Sequence, residues 1–190
     1  VKLYKNGKPF KMSKRAGDFI SAQDLLNEVD KDLIRFMMLN RSNDVEIDFD
    51  FDKVKEKTKE NPVFYVQYAF ARINSLYRVL NINLGSKILL DKKNFNLNSN
   101  EEKIVRKIFE WPKIIESASK KFEIHKIPFY LYDLATLFHS YWSEGNENPK
   151  YKFIENNKIK RMEILVIFNL VTIVIQNGMK ILGVSLPNKM

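Results

Sequence analysis

The 190 residues include no cysteine and only two histidines, His125 and His139. Disulfides and thiolate zinc sites are thereby excluded, and two isolated imidazoles cannot furnish a histidine-rich metal site; no metal held by protein side chains is expected. Long hydrophobic runs are missing too. The longest, Ile164 to Ile175, is interrupted by Asn169 and Thr172. It falls well short of the roughly 20 residues that cross a bilayer, and so reads as a buried helix. The basic N-terminus, VKLYKNGKPFKMSKR, has neither an apolar run behind it nor a small-residue cleavage site, which argues against a secretory signal. There is no dinucleotide-type glycine loop, and no alternation of strands and helices long enough for a parallel sheet.

What is present is a chain of 45% hydrophobic and 13% aromatic residues, enough for one good core or a core with a small appendage. The net charge of +9 is uneven: residues 1 to 60 hold 13 basic and 12 acidic groups, leaving 19 and 11 for the rest. Nearly all the excess is therefore C-terminal. Such a field favours polyanionic partners, because each neutralised phosphate releases condensed counterions. A composition rich in Lys, Asn and Ile, as AT-rich genomes encode, would give the same charge with no nucleic-acid role.

Residues 1 to 10 read as a short hairpin, with Asn6-Gly7 at the positive-φ turn positions. Ser21 can cap a short helix through SAQDLLNEV, and Asp30 or Asp32 another through DLIRFMMLN, with Asn40 near its end. VEIDFDFD alternates as a half-exposed extended segment would, and KVKEKTKEN reads as a charged helical approach. A helix from Pro62 to about Leu80 carries Val63, Val66, Phe70, Ile73, Tyr77 and Leu80 in one apolar stripe. After an Asn-rich loop candidate at 85 to 100, three helices are expected. The first is capped by Ser99 with Glu102 and kinked or broken at Pro112; the second runs from Lys126 to about Glu144 and ends at Gly145; the third spans about Asn156 to Leu182. The fold class is mainly α: a small α/β piece with a hairpin, then an all-helical bundle.

Three groups of residues could carry chemistry. Lys11, Met12, Ser13 and Lys14, followed by Arg15 and Gly17, place two cations and a hydroxyl on one short loop, a pattern that suits clamping phosphates as charge develops on them. A solvated basic turn after a hairpin would read the same. Tyr65, Tyr68 and Arg72 share one flank of the Pro62 helix, where they could stack on unpaired bases or simply pack against a neighbour. Lys103, Arg106 and Lys107, with Lys113, Lys120, Lys121 and Lys126, could track a phosphate backbone or be ordinary solvated lysines. His139 reads as a packed side chain. Trp111, Trp142, Phe129, Tyr130, Tyr132, Phe138 and Tyr141 read as core aromatics, Trp142 and Tyr141 being the ones that could be exposed for stacking.

Four stretches in order, KMSKRAGDF, DLIRFMMLNRSNDVEIDFDF, ENPVFYVQYAFARI and LGVSLPNKM, resemble the corresponding stretches of bacterial-type arginyl-tRNA synthetases, and the resemblance covers essentially the whole chain. It implies that residues 1 to 60 end the catalytic region and that 61 to 190 form a helical anticodon-binding (DALR-type) domain facing tRNA(Arg). Lys11, Ser13 and Lys14 would then lie on a KMSKS-type loop that closes over ATP, carried with Mg2+, and stabilises leaving pyrophosphate while arginine is adenylated. Lys14 is the first choice for that contact. The fifth position of the motif is Arg15 here, a departure in keeping with the variation of this loop in arginyl enzymes.

The paired-histidine motif that class I synthetases carry in their nucleotide-binding fold is absent. The arginine pocket and most of the ATP site are thus expected upstream of residue 1, the chain being a truncation that is inactive alone. The whole enzyme is expected to be cytoplasmic and monomeric, and the short chain to self-associate through the apolar face of residues 19 to 39, bared by the missing domain. The alternative is a non-enzymatic, basic, all-α module that binds RNA or protein.

Overall fold

A computed structural model describes residues 1–5, 7–10, 21–83, 85, 96–156 and 158–190. Strands β1 (Lys2–Lys5) and β2 (Lys8–Phe10) form the expected hairpin, with Lys5 opposite Lys8 and Gly7 at φ 69°; Asn6 lies outside the described residues. The extended VEIDFDFD segment does more than alternate. Its β3 (Asp48–Asp50) adds parallel to β1, so the sheet order is β2-β1-β3. Phe49 and Phe51 drop into a small core with Val29 and Val54, over which Leu25, Leu33, Ile34, Met37 and Met38 pack. Much of the apolar face of residues 21 to 39 is thus covered by the chain itself; Phe19 and Ile20 lie outside the described residues.

Helix α1 (Ala22–Glu28) is opened by a capping box between Ser21 and Asp24, and α2 (Lys31–Leu39) by Asp30, whose carboxylate accepts from the Asp32 amide at 2.8 Å. The expected helix through KVKEKTKEN is a single 3-10 turn, Lys53–Lys55, because nothing apolar beyond Val54 gives that segment a face to bury. The turn is instead held by Asn61. Its Nδ2 donates to the Val54 and Glu56 carbonyls at 2.9 and 2.8 Å, while its Oδ1 accepts from the Val63 amide at 3.2 Å and so caps α3 (Pro62–Val79).

The helical bundle comprises α3, α4 (Ser99–Phe109), α5 (Trp111–Lys121), α6 (Lys126–Glu147) and α7 (Met162–Leu182). The expected helix across Pro112 is broken there, Pro112 sitting in the first turn of α5, where a missing amide costs nothing. The cap of α4 is one residue earlier than the Ser99/Glu102 pairing predicts: Asn98 accepts from the Glu101 amide at 2.9 Å and Glu101 accepts from the Asn98 amide at 2.9 Å. Gly145 does not end α6, which runs on to Glu147. A Cβ at Gly145 would sit 2.5 Å from the Phe153 ring, so this glycine is a seat for that ring. The last helix begins at Met162, not near Asn156, because residues 154 to 159 pair as β4 (Ile154–Glu155) and β5 (Lys158–Ile159). By length and apolarity α7 could cross a membrane, contrary to the shorter run read from sequence. Its burial places it in the protein: Leu165, Phe168, Val171, Ile175, Met179 and Leu182 are wholly enclosed by the bundle.

One polar cluster centres on a buried carboxylate. Glu101, fully buried, accepts from the Tyr141 hydroxyl at 2.8 Å and pairs with Arg161, which also donates to the Asn96 carbonyl. Burial, with the bond to Glu101, drives the Tyr141 hydroxyl well above its ordinary range, so it remains a donor. The small sheet piece is tied to the bundle by the C-terminal segment: Asp32 accepts from the Ser185 amide at 2.8 Å, and Arg35 donates to the Leu182 carbonyl.

Candidate nucleic-acid interface

Asn61 and Pro62 fix where α3 starts, and the stripe Val63, Val66, Phe70, Ile73 and Tyr77 fixes which side it buries. Tyr65, Tyr68 and Arg72 are left half-buried on the adjoining flank, where α6 lies against them. The ring of Tyr65 is 5.4 Å from Tyr132 and 4.3 Å from His139; that of Tyr68 stacks on His139 at 5.3 Å and on Phe64 at 5.7 Å. The tyrosines do pack against a neighbouring helix, and they still reach solvent.

Arg72 is the centre of this arrangement. Its guanidinium carbon lies 4.6 Å from the Tyr68 ring centre and 5.3 Å from that of Trp142, with Nη1 3.3 Å from Nδ1 of His139. The other nitrogen of His139, Nε2, is 3.1 Å from the Tyr65 carbonyl. A carbonyl accepts only, and a guanidinium donates only, so the imidazole must carry its proton on Nε2 and offer a lone pair at Nδ1. Burial of the ring, aided by the Arg72 charge and opposed by the Tyr65 carbonyl, lowers the His139 pKa to about 4. At neutral pH the histidine is therefore an uncharged acceptor that holds a cation in place. Arg72 meets ring faces and an imidazole, none of which neutralises it. A fixed guanidinium beside half-exposed tyrosine and tryptophan rings can hold phosphate oxygens and stack on unpaired bases.

The cations of α4 stand apart from this cluster. Tyr130, Asp133, Tyr141 and Glu144 of α6 meet α4, whereas Tyr132 and His139 meet α3. Lys103 and Arg106 are exposed, Lys103 donating to Asn100 at 3.1 Å and Arg106 lying 3.8 Å from Glu102. Lys107 is enclosed between Asp133 at 3.1 Å and Glu110 at 3.3 Å, with its amine 5.0 Å from the Tyr130 ring centre. Lys11, Met12, Ser13 and Lys14 lie outside the described residues.

Among the other aromatics, Phe138, Tyr141 and Phe168 are core, and Trp111 packs on Tyr130. Phe129 is instead 45% exposed, at a cleft it lines with Lys107, Lys113 and Ile114. No group of three or more metal-ligating side chains occurs among the described residues. The orienting part of His139 had no sequence signal, since it depends on two helices meeting. The basic run KYKFIENNKIKR at 150 to 161, by contrast, is legible in the sequence, and a search for helix faces passes over it.

A family model described as DALR anticodon binding domain matches residues 66–190. Among curated relatives, an arginine–tRNA ligase of Pelagibacter ubique is 52% identical over 190 residues, all of this chain and 33% of that protein. One of Brucella canis is 46% identical over 199 aligned positions, again all of this chain and 34% of the relative. The chain thus spans about a third of the length of the curated relatives it matches. Among solved structures, a putative arginyl-tRNA synthetase of Campylobacter jejuni aligns over the whole chain and 39% of its own, with TM-score 0.81 and 26% identity. The arginyl-tRNA synthetase of Thermus thermophilus shares the fold, with TM-score 0.68 over 99% of this chain and 34% of its own, at 20% identity.

Proposed function

We propose, from the premise that this chain belongs to the DALR anticodon-binding domain family, that it is the C-terminal third of an arginine–tRNA ligase and binds tRNA(Arg) through its helical bundle. The observation that supports this reading is the alignment of the whole of this chain to relatives of that name, and we assign the contact to the Tyr68–Arg72–His139 arrangement. We place the division near Asn61, which caps the bundle's first helix and closes the preceding turn.

In that role Tyr68 and Arg72 meet the anticodon loop, and Tyr65 backs them by holding His139. Lys103 and Arg106, exposed on α4, would meet phosphates of the same RNA, whereas Lys107 would have to leave Asp133 and Glu110 to do so. The full enzyme would join arginine and ATP to an adenylate and pass the arginyl group to the terminal ribose of the tRNA, in the cytoplasm and as a monomer. Lys11, Met12, Ser13 and Lys14 would face the ATP, with its Mg2+, and Lys14 would meet the departing pyrophosphate. Positioning and electrostatics do most of such work, which suits paired lysines. The chain alone would bind tRNA without activating arginine, and would self-associate through residual apolar surface such as Leu26, which is 48% exposed.

Replacing Tyr68 by Ala tests the placement. Loss of one stacked base is worth about 1–3 kcal/mol, so affinity for arginine tRNA should fall roughly 5- to 150-fold. An unchanged affinity, with the fold intact, would remove Tyr68 from the interface.

A further inference from the structure

The segment that joins α6 to α7, residues 150–161, holds five basic groups and one acidic one. It is anchored. Phe153, 3% exposed, sits in the notch left by Gly145 with its ring 5.8 Å from Tyr141, 5.1 Å from Trp142 and 5.6 Å from Phe168, and its carbonyl accepts from the Lys160 amide at 2.9 Å. Lys152 and Lys160, which flank β4 and β5, and Lys158, which stands opposite Glu155 within them, are therefore carried on a seated hairpin, which lowers the ordering cost of any contact they make.

Two shallow cavities flank the hairpin. One, of about 300 Å³, is lined by Trp142, Asn146, Lys152, Asn156 and one carboxylate, Glu155; the other, of about 320 Å³, by Asn98, Tyr141, Lys152, Lys160 and the paired Glu101 and Arg161. Lys152 belongs to both, and Trp142 carries Arg72 over its ring. A line of cations thus leads from Arg72 across Trp142 to Lys152 and Lys160. Arg161 is committed to the buried Glu101, whereas Lys152 and Lys158 are exposed and Lys160 meets Glu155 only at 3.5 Å on the surface.

We infer that this hairpin is a phosphate-binding surface, on which Lys152, Lys158 and Lys160 take the RNA backbone beside the nucleotide held at Tyr68 and Arg72. The inference rests on the tRNA reading above and extends it to a region that reading does not use. RNA fits better than an acidic protein. A protein partner would want an exposed apolar anchor among the charges, and the hairpin's aromatic, Phe153, is turned into the core. RNA needs only cations beside a stacking surface.

The test compares the chain with Lys152→Ala/Lys158→Ala/Lys160→Ala, titrated against labelled arginine tRNA by fluorescence anisotropy over a sodium chloride series. Each lost phosphate contact lowers the slope of log K against log salt by about 0.7–0.9, so the triple variant should lose about 2.1–2.7 from the slope. Its affinity should fall roughly tenfold to a hundredfold at low salt, while its preference for arginine tRNA over another tRNA stays. Lys152→Arg/Lys158→Arg/Lys160→Arg should restore the slope, which separates charge from folding. An unchanged slope in the alanine variant, while Tyr68→Ala still weakens binding, would overturn this inference alone. Loss of binding to polyglutamate with tRNA binding intact would overturn it in favour of an acidic protein. If the unaltered chain binds no tRNA at any salt, the tRNA reading falls and this one with it.

Discussion

Nη1 of Arg72 lies 3.3 Å from Nδ1 of His139, so the cation at the centre of the half-exposed aromatic cluster is held by an imidazole that must stay neutral to hold it. The histidine itself is sealed, 5% exposed, with its far nitrogen on the Tyr65 carbonyl. A buried group therefore sets the position of a half-buried one, across the α3–α6 contact.

The first prediction concerns pH. His139 titrates near 6.5 in the unfolded chain and at about 4 in the folded one, so below 6.5 the unfolded state binds the extra proton. Its contribution is present in full above pH 6.5 and is lost as pH falls toward 4. The change is on the order of 3 kcal/mol, at about 1.4 kcal/mol per unit. His139→Gln can accept from Arg72 and donate to Tyr65 yet cannot titrate. Urea unfolding between pH 4 and 7 should show a flatter stability profile for this variant than for the unaltered chain. Equal profiles would mean that His139 is not the group responsible.

The second concerns Glu101. Its carboxylate is fully buried, capping α4 through the Asn98 amide and bonded to Tyr141 and Arg161. Removing one partner of a buried pair leaves the other uncompensated, at a cost of about 3–5 kcal/mol. Arg161 is partly exposed, so the lower end applies to Glu101→Ala, read as a drop in the urea midpoint at constant slope. Replacing both, Glu101→Leu with Arg161→Met, should cost less than the single change. A cost for Glu101→Ala below about 1 kcal/mol would show that the cluster does not hold α4, α6 and the hairpin together.

How much of this was legible in the sequence depended on how local each feature is. The stripe from Val63 to Tyr77 and the Ser21 and Asp30 caps follow from spacing within one element, and they stand as read. The flank of Tyr65, Tyr68 and Arg72 is likewise a matter of helical periodicity. What faces that flank is not: His139 and Trp142 arrive from another helix, and only packing brings them there. Helix ends misled where a tertiary contact decided them. Gly145 looks like a stop but continues α6 because Phe153 needs its bare Cα, and the start of α7 is delayed by a hairpin whose strands are two residues each, too short for a period to show. The parallel addition of β3 to β1 links segments some forty residues apart, with no local sign in either.

The third prediction addresses residues 11 to 14, through the full-length enzyme. If Lys14 meets departing pyrophosphate, Lys14→Ala should slow adenylate formation about 10²–10³-fold, the usual cost of one preorganised donor to developing charge. The affinity for tRNA should be nearly unchanged. Pre-steady-state formation of the adenylate separates the two. A loss confined to tRNA binding, with adenylation intact, would remove Lys14 from the chemistry.

The most direct test of the central claim keeps one tRNA body and changes only its anticodon. Equilibrium binding of the 190-residue chain to arginine tRNA and to the same tRNA with substituted anticodon bases should show clearly tighter binding of the unaltered RNA at near-physiological salt. The gap should shrink when Tyr68 or Arg72 is replaced by Ala. Equal, weak binding of both RNAs, lost steeply as salt rises, would contradict the account and leave the bundle a general polyanion surface.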